Sequence, residues 1–231
     1  MQAWLTPEEF AAVRTSLVVG ARATLFALPL AVACAYALSR GRFFGRTALD
    51  ALSHAPLVLP PVVVGYGLLL LFGVQGPIGG WLDQTFGVRL VFTSAGASLA
   101  AGVCAFPLMV RSVRLALDAV DPGLETAARS LGAGPLDRAF SLVLPLAAPG
   151  ILSAAVVGFA AALGEFGAVI TFAANVPGVT QTLPLAIYAA LQTPGGEATA
   201  AKLAGISFVI ALVGLVLSEM LWRRTRAWAG R

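Results

Sequence analysis

The chain has 231 residues, of which 58% are hydrophobic and only 11% are charged, with a formal net charge of +4. A water-soluble domain is about 45–50% apolar and about 25% charged, so this composition excludes an ordinary soluble protein. It also excludes an intrinsically disordered chain, which requires low hydrophobicity. The positive charge does not indicate nucleic-acid binding, because the basic residues separate hydrophobic runs instead of clustering on one soluble face. The composition therefore indicates a membrane protein.

Hydrophobic stretches that approach the bilayer-spanning length of about 20 residues occur about five times. They cover roughly residues 17–38, 57–72, 92–110, 146–172 and 203–221. Small residues recur within them, which allows helices to pack closely in lipid. We therefore predict an all-α membrane protein, a single domain over residues 1–231 built as a polytopic bundle of about five transmembrane helices.

The second stretch is the least regular because it contains prolines. Pro60 and Pro61 lack a backbone N–H, so we expect the helix to kink or break there. Non-helical backbone at membrane depth is tolerated only inside protein or beside a water-filled cavity, so this break is a candidate lining of a translocation pathway. Tyr66, Thr171 and Asn175 are polar candidates for the same pathway, although each could equally bond a neighbouring helix.

Basic residues follow the first, third and fifth stretches. Short cytoplasmic loops are enriched in arginine and lysine, so this side is predicted to be cytoplasmic. An odd number of spans then places the N-terminus outside and the C-terminus in the cytoplasm. The basic residues on the predicted cytoplasmic side are Arg40, Arg42, Arg46, Arg111, Arg114, Arg129, Arg138, Arg223, Arg224, Arg226 and Arg231.

Ionisable residues inside a membrane are costly, which makes Glu165 a functional candidate. A fixed carboxylate would repel an anion, so we expect Glu165 to act as a gate or structural residue rather than as an anion ligand. Lys202 begins the fifth stretch at a similar depth, and we hypothesise that it pairs with Glu165. His54, the only histidine, is expected to form a structural hydrogen bond. The two cysteines lie in apolar runs, and no metal site is predicted.

The loop after the third stretch contains the signals of a short helix. Asp121 is a good N-cap, Pro122 suits the first helical position, and Gly132 suits the left-handed residue that ends a helix. Glu125 and Arg129 are four residues apart in the favourable order for an ion pair.

The same short helix has a narrow face of small and aliphatic residues. Such a face suits insertion into a groove on a partner, or it lies on its own bundle or on the lipid surface. The residues of this face are Leu124, Ala127, Ala128 and Leu131.

This loop resembles the signature of permease subunits of ABC importers, which reads Glu-Ala-Ala, three residues, Gly, nine residues, Ile, one residue, Leu-Pro. Aligned on Gly132 and on Leu144-Pro145, the alanines of the signature match Ala127 and Ala128. The glutamate of the signature falls on Thr126, and its isoleucine falls on Leu142. The resemblance implies that residues 121–136 form a coupling helix seated in an ATPase subunit. The residues assigned to this coupling role are Leu124, Glu125, Ala127, Ala128, Arg129, Leu131, Gly132 and Gly134.

Nearly the whole chain is similar to the molybdate permeases of ABC importers. The resemblance is carried by residues 54–66, 106–111, 163–168 and 192–197. It implies a homodimer of permeases, two copies of a cytoplasmic ATPase subunit, and a periplasmic or surface-tethered molybdate-binding protein.

The chain itself lacks the means to hydrolyse ATP. Its sequence contains no Gly-x-x-x-x-Gly-Lys-Ser/Thr loop and no catalytic constellation, and Lys202 is its only lysine. We therefore predict a permease subunit rather than an enzyme, with no cofactor of its own and with ATP and Mg used by the partner. Its predicted function is to import molybdate, and tungstate as a second candidate substrate, by alternating access. The alternatives are a sulfate, thiosulfate or other oxyanion permease, and a membrane assembly protein that does not transport.

Overall fold

The computed structural model describes residues 5–229, and the side chains of this range up to residue 214 and at residue 216. This part of the chain is helical throughout, with no β-strand between residues 5 and 229. The helices are α1 (Pro7–Arg40), α2 (Arg46–Val58), α3 (Pro61–Phe72), α4 (Pro77–Phe86), α5 (Ser94–Asp118), α6 (Pro122–Ser130), α7 (Pro135–Arg138), α8 (Leu144–Leu163), α9 (Gly167–Ala173), α10 (Leu183–Leu191) and α11 (Glu197–Ala229). The arginines predicted after the fifth span lie outside the described side chains.

Four helices are long and apolar enough to cross a membrane, and a bent helix pair provides a fifth candidate span. The four are α1, α5, the continuous run from α7 through α8, and α11. Many of their large apolar side chains face outward, among them Leu25, Phe26 and Phe208. Such surface is expected where lipid replaces water as the solvent. The predicted all-α membrane bundle is confirmed.

Helix α1 begins at a capping box and packs through small residues. The backbone N–H of Glu9 donates to Thr6 Oγ1 at 3.2 Å, and the N–H of Thr6 donates to Glu9 Oε2 at 2.7 Å. Further along, Ala23, Ala27 and Ala31 are buried against α5. A Cβ added at Gly102 of α5 would lie 3.5 Å from the carbonyl oxygen of Ala23. This close approach places α1 and α5 side by side at the centre of the bundle.

The second predicted span is a broken pair of helices. Helices α2 and α3 are bent by 117° at Leu59 and Pro60. Helix α3 has 12 residues and is about 18 Å long, shorter than the hydrocarbon core of about 30 Å. The break predicted at the two prolines is confirmed, but residues 57–72 do not form one continuous helix.

The fourth predicted span is wrong at its end. Helix α7 continues through a π-helical turn, Ala139–Val143, into α8 and stops at Leu163. Pro145 has no N–H to donate to the carbonyl of residue 141, which accounts for the irregular turn before it. The chain then breaks at residues 164–166 before α9, although the prediction continued the helix to residue 172. Apolar composition alone does not distinguish one long helix from a helix, a break and a second helix.

Candidate coupling site and translocation pathway

Helix α6 is closed at both ends by the residues that the sequence indicated. Asp121 Oδ1 accepts a hydrogen bond from the N–H of Gly123 at 2.8 Å, and Pro122 occupies the first helical position. Gly132 has a φ of +89°, and the N–H of Ala133 donates to the carbonyl of Ala128 at 3.0 Å. The predicted cap and the predicted left-handed glycine are both confirmed.

The apolar face of α6 points away from the rest of the bundle. No residue of α6 is buried, and Leu124 and Leu131 are 45% and 89% exposed. Ala127 is exposed and Ala128 is half-buried. The sequence left three positions open for this face: a groove on a partner, its own bundle, or the lipid surface. Packing of the leucines against the bundle does not occur among the described residues.

The predicted ion pair between Glu125 and Arg129 is wrong. The Arg40 Nε at the end of α1 donates to Glu125 Oε1 at 2.7 Å, and Arg129 is exposed. Arg40 also donates to the carbonyl of Leu117 at 2.8 Å. One guanidinium therefore joins the ends of α1 and α5 to α6. The i,i+4 rule missed this because Arg40 lies 85 residues away in the chain.

A chain of ion pairs continues from this point to the broken span. Arg40 lies 3.8 Å from Asp118, and Asp118 lies 3.9 Å from Arg114 on the same helix. Arg114 in turn donates to Asp50 of α2 at 3.2 Å, and Asp50 lies 3.4 Å from His54. These residues and Glu125, here called the ion-pair chain, connect α6, α1, α5 and α2.

The histidine at the far end of the ion-pair chain has a structural role. His54 Nδ1 lies 2.9 Å from the carbonyl of Asp50 and 3.1 Å from Ser53 Oγ. The structural hydrogen bond expected for this residue is present.

The two breaks in the helices lie against each other. A Cβ added at Gly167, the first residue of α9, would lie 2.9 Å from Cβ of Pro61, the first residue of α3. A Cβ added at Gly65 would lie 2.8 Å from the carbonyl oxygen of Ala168 and 2.8 Å from Cβ of Thr171. The backbones of α3 and α9 therefore touch, and only glycine fits at these positions. The fold brings together two irregular segments that are about 100 residues apart in the chain.

Glu165 lies in the second break and stabilises the start of α9. Its Oε1 accepts a hydrogen bond from the N–H of Ala168 at 2.8 Å, and Cys104 of α5 lies beside the carboxylate. The sequence analysis paired Glu165 with Lys202. In the structure, Lys202 binds the carboxylate of Glu9 in α1, with Nζ 2.7 Å from Oε2. Depth in the membrane suggested Glu165 for that role. The start of α1 is the element that actually reaches the start of α11.

The remaining pathway candidates are not brought into one cluster by hydrogen bonds. Thr171 Oγ1 donates to the carbonyl of Gly167 in its own helix at 2.8 Å. Tyr66 is 55% exposed, and Pro60 is an exposed N-cap residue. Asn175 Oδ1 is buried and has no hydrogen-bond partner among the described residues. The alternative of bonding a neighbouring helix is therefore not realised for these three polar side chains within the described part of the chain.

Comparison with known proteins identifies the family. Residues 27–227 match the family described as binding-protein-dependent transport system inner membrane component. The chain belongs to this family. It is therefore a multi-pass inner-membrane transport component and not an enzyme, as its sequence predicted.

Individual relatives are similar over nearly the whole chain. It is 52% identical to the molybdenum transport system permease protein ModB of Escherichia coli (strain K12), over 98% of this chain and 99% of the relative. It is 34% identical to the sulfate transport system permease protein CysT of Salmonella typhimurium, over 94% of this chain and 79% of the relative. The fold matches a chain in the crystal structure of a bacterial alginate ABC transporter in complex with alginate pentasaccharide-bound periplasmic protein. That match has a TM-score of 0.77 at 17% identity and covers 96% of this chain and 80% of the other.

Proposed function

We propose that this chain is the permease component of an ATP-driven importer of molybdate. The observation that carries the proposal is the 52% identity to a molybdenum permease over 98% of the chain. The identity to the sulfate permease is 34%, which favours molybdate over sulfate or thiosulfate. Tungstate is a second candidate substrate, because it is also a tetrahedral dianion. Family membership disfavours the remaining alternative, a membrane assembly protein without transport.

The proposed assembly has two copies of this permease, cytoplasmic ATPase subunits and a periplasmic or surface-tethered molybdate-binding protein. The exposed face of α6 with Leu124 and Leu131 suits a groove on the ATPase subunit. ATP and Mg would be bound by that subunit, and this chain would bind no cofactor. The ATPase side of the bundle is then the arginine-rich end, which puts the N-terminus outside and the C-terminus in the cytoplasm.

The ion-pair chain supplies a physical route from α6 to the membrane. When ATP binding moves α6, the ion pair between Glu125 and Arg40 transmits the displacement to the end of α1. Asp118 and Arg114 then connect that end to Asp50 of α2. Helix α2 leads directly into the break at Pro60 and Pro61. Rocking of the two permease copies would thus change the relative position of α3 and α9, the helices whose starting breaks lie against each other.

The translocation pathway is proposed to run along the contact between α3 and α9. Irregular backbone at membrane depth is tolerated there because it lies inside protein or beside water. Glu165 fixes the second break through the N–H of Ala168 and is proposed to act as a gate or structural residue. Tyr66 and Asn175 have polar groups that are not bonded within the described residues, so they are available to line the route.

Uptake of labelled molybdate tests the function. A strain that lacks the gene is complemented with the wild-type chain or with an empty vector, and excess tungstate or sulfate is added as competitor. We expect uptake only with the wild-type chain, suppressed by tungstate and unaffected by sulfate. Suppression by sulfate would assign a broader oxyanion substrate, and uptake that does not depend on the gene would refute the proposal.

A further inference from the structure

A basic cleft lies between the end of α1 and the coupling helix α6. Its volume is about 590 Å³, and five arginines line it together with a single acidic residue, Glu125. The cleft is therefore strongly positive. The arginines are Arg40, Arg42, Arg46, Arg129 and Arg138.

Two of the five arginines are already bonded. Arg40 binds Glu125, and Arg46 donates twice to the carbonyl of Leu38, at 3.0 and 2.7 Å. The side chains of Arg42, Arg129 and Arg138 form no hydrogen bond or ion pair with any other residue that the structure describes. The Nε of Arg138 is buried without a partner. A buried N–H of a guanidinium is costly without an acceptor, so an anion bound in the cleft would stabilise Arg138.

The position of the cleft distinguishes it from the face proposed for the ATPase subunit. Glu125, Thr126 and Arg129 line the cleft and share one side of α6 by their helical spacing. Leu124 and Leu131 occupy the opposite side, since a residue advances about 100° around a helix axis. A protein seated on the leucine face would leave the cleft open.

The wall of the cleft opposite α6 is the end of a membrane-spanning helix, and two exposed aromatic residues lie next to it in the chain, outside the cleft lining. Phe43 and Phe44 follow the last turn of α1, and both are exposed. Arg42 and Arg46 flank this aromatic pair. Phenylalanine rings beside arginines suit the bilayer interface, where the rings enter the boundary between headgroups and acyl chains and the guanidinium groups meet phosphates.

We propose that the cleft binds the phosphate group of an anionic phospholipid. The phosphate accepts hydrogen bonds from Arg138 and Arg42, and the acyl chains lie beside Phe43 and Phe44. The lipid then connects the end of α1 to the coupling helix from the side that the ATPase subunit does not cover. The proposal depends on the chain being a membrane protein, and it is independent of which oxyanion is transported.

Lipid binding to the purified full-length chain in detergent tests the proposal. Native mass spectrometry compares phosphatidylglycerol and phosphatidylcholine with identical acyl chains, on the wild type and on the double variant Arg42→Gln/Arg138→Gln. We expect phosphatidylglycerol to bind more tightly than phosphatidylcholine, and the preference to fall by about five-fold for each arginine removed. The matched control is Arg14→Gln, because Arg14 is exposed and lies near the other end of α1, and it should keep the full preference.

Results of three kinds would overturn the proposal. The first is equal binding of the two lipids by the wild type, or an unchanged preference in the double variant. The second is displacement of phosphatidylglycerol by inorganic phosphate or molybdate, which would make the cleft a site for free anions. The third is displacement by the purified ATPase subunit, which would make it a protein-docking site. Size-exclusion chromatography of each variant verifies folding, and the exposed Arg42→Gln alone provides a variant with no buried change. None of these outcomes depends on molybdate uptake.

Discussion

Replacing Glu125 by glutamine weakens the first contact between α6, the proposed coupling helix, and the membrane helices. The substitution keeps the size of the side chain and removes its charge, so the hydrogen bond from Arg40 loses its ionic character. Arg40 keeps its bond to the carbonyl of Leu117, which holds α1 to α5. The variant should therefore fold, with α6 held less firmly to the bundle.

The size of the effect follows from the burial of the pair. The Arg40 and Glu125 side chains are 22% and 20% exposed, and Nε and Oε1 are 2.7 Å apart. A hydrogen bond to a charged group contributes about 1.5–3 kcal/mol, whereas an exposed ion pair contributes about 0.2–1 kcal/mol. We expect a loss of about 1.5 kcal/mol, which corresponds to about a ten-fold smaller population of the connected arrangement.

The assay measures molybdate uptake and ATP hydrolysis together, in proteoliposomes that contain the full transporter. Glu125→Gln should lower the molybdate transported per ATP hydrolysed by up to about ten-fold, because α6 then moves without moving α1. Glu8→Gln removes an exposed carboxylate near the other end of α1 and should leave the ratio unchanged. A ratio in Glu125→Gln equal to that of the wild type would refute the idea that this pair transmits the motion.

The remaining predictions concern α6 and the ion pair between Glu9 and Lys202. Gly132→Pro should abolish uptake because proline cannot adopt a φ of +89°, while Gly178→Ala, strained at a φ of +75° elsewhere in the chain, should transport normally. Leu131→Asp should abolish capture of the ATPase subunit in a pull-down without lowering thermal stability, since the side chain is 89% exposed, whereas Leu131→Met should retain capture. Lys202→Met should destabilise the protein by about 1.5–3 kcal/mol in thermal unfolding, because Glu9 is buried while Lys202 is partly exposed. The double variant Glu9→Gln/Lys202→Met should recover most of that loss, and no recovery would contradict the pairing.

Features that depend on neighbouring residues in the chain were predictable from the sequence. The ends of α6 follow from Asp121, Pro122 and Gly132, because a cap bonds only to the backbone beside it. The break at Pro60 and Pro61 follows from the missing N–H groups. The approximate positions of four spans follow from hydrophobic length, whereas the second predicted span is a bent pair of short helices.

Features that depend on residues far apart in the chain were not predictable from the sequence. Glu125 had Arg129 as a local partner, but the fold offers it Arg40, whose guanidinium is fixed by further bonds and loses less entropy on pairing. Lys202 was matched to Glu165 by depth, although the fold brings Glu9 to it. The break at residues 164–166 leaves no trace in hydropathy, because the segment stays apolar on both sides of Glu165.

The sequence by itself determined that this protein crosses the membrane, belongs among importer permeases and carries a capped helix between its spans. Hydrophobic length is sufficient for the spans and local bonding for the capped helix, whereas the family follows from motifs that resemble those of known permeases. The tertiary structure decided which charges meet, that the breaks before α3 and α9 touch, and that α6 has a leucine face and an arginine-lined face. These contacts join residues far apart in the chain, so no local pattern in the sequence indicates them.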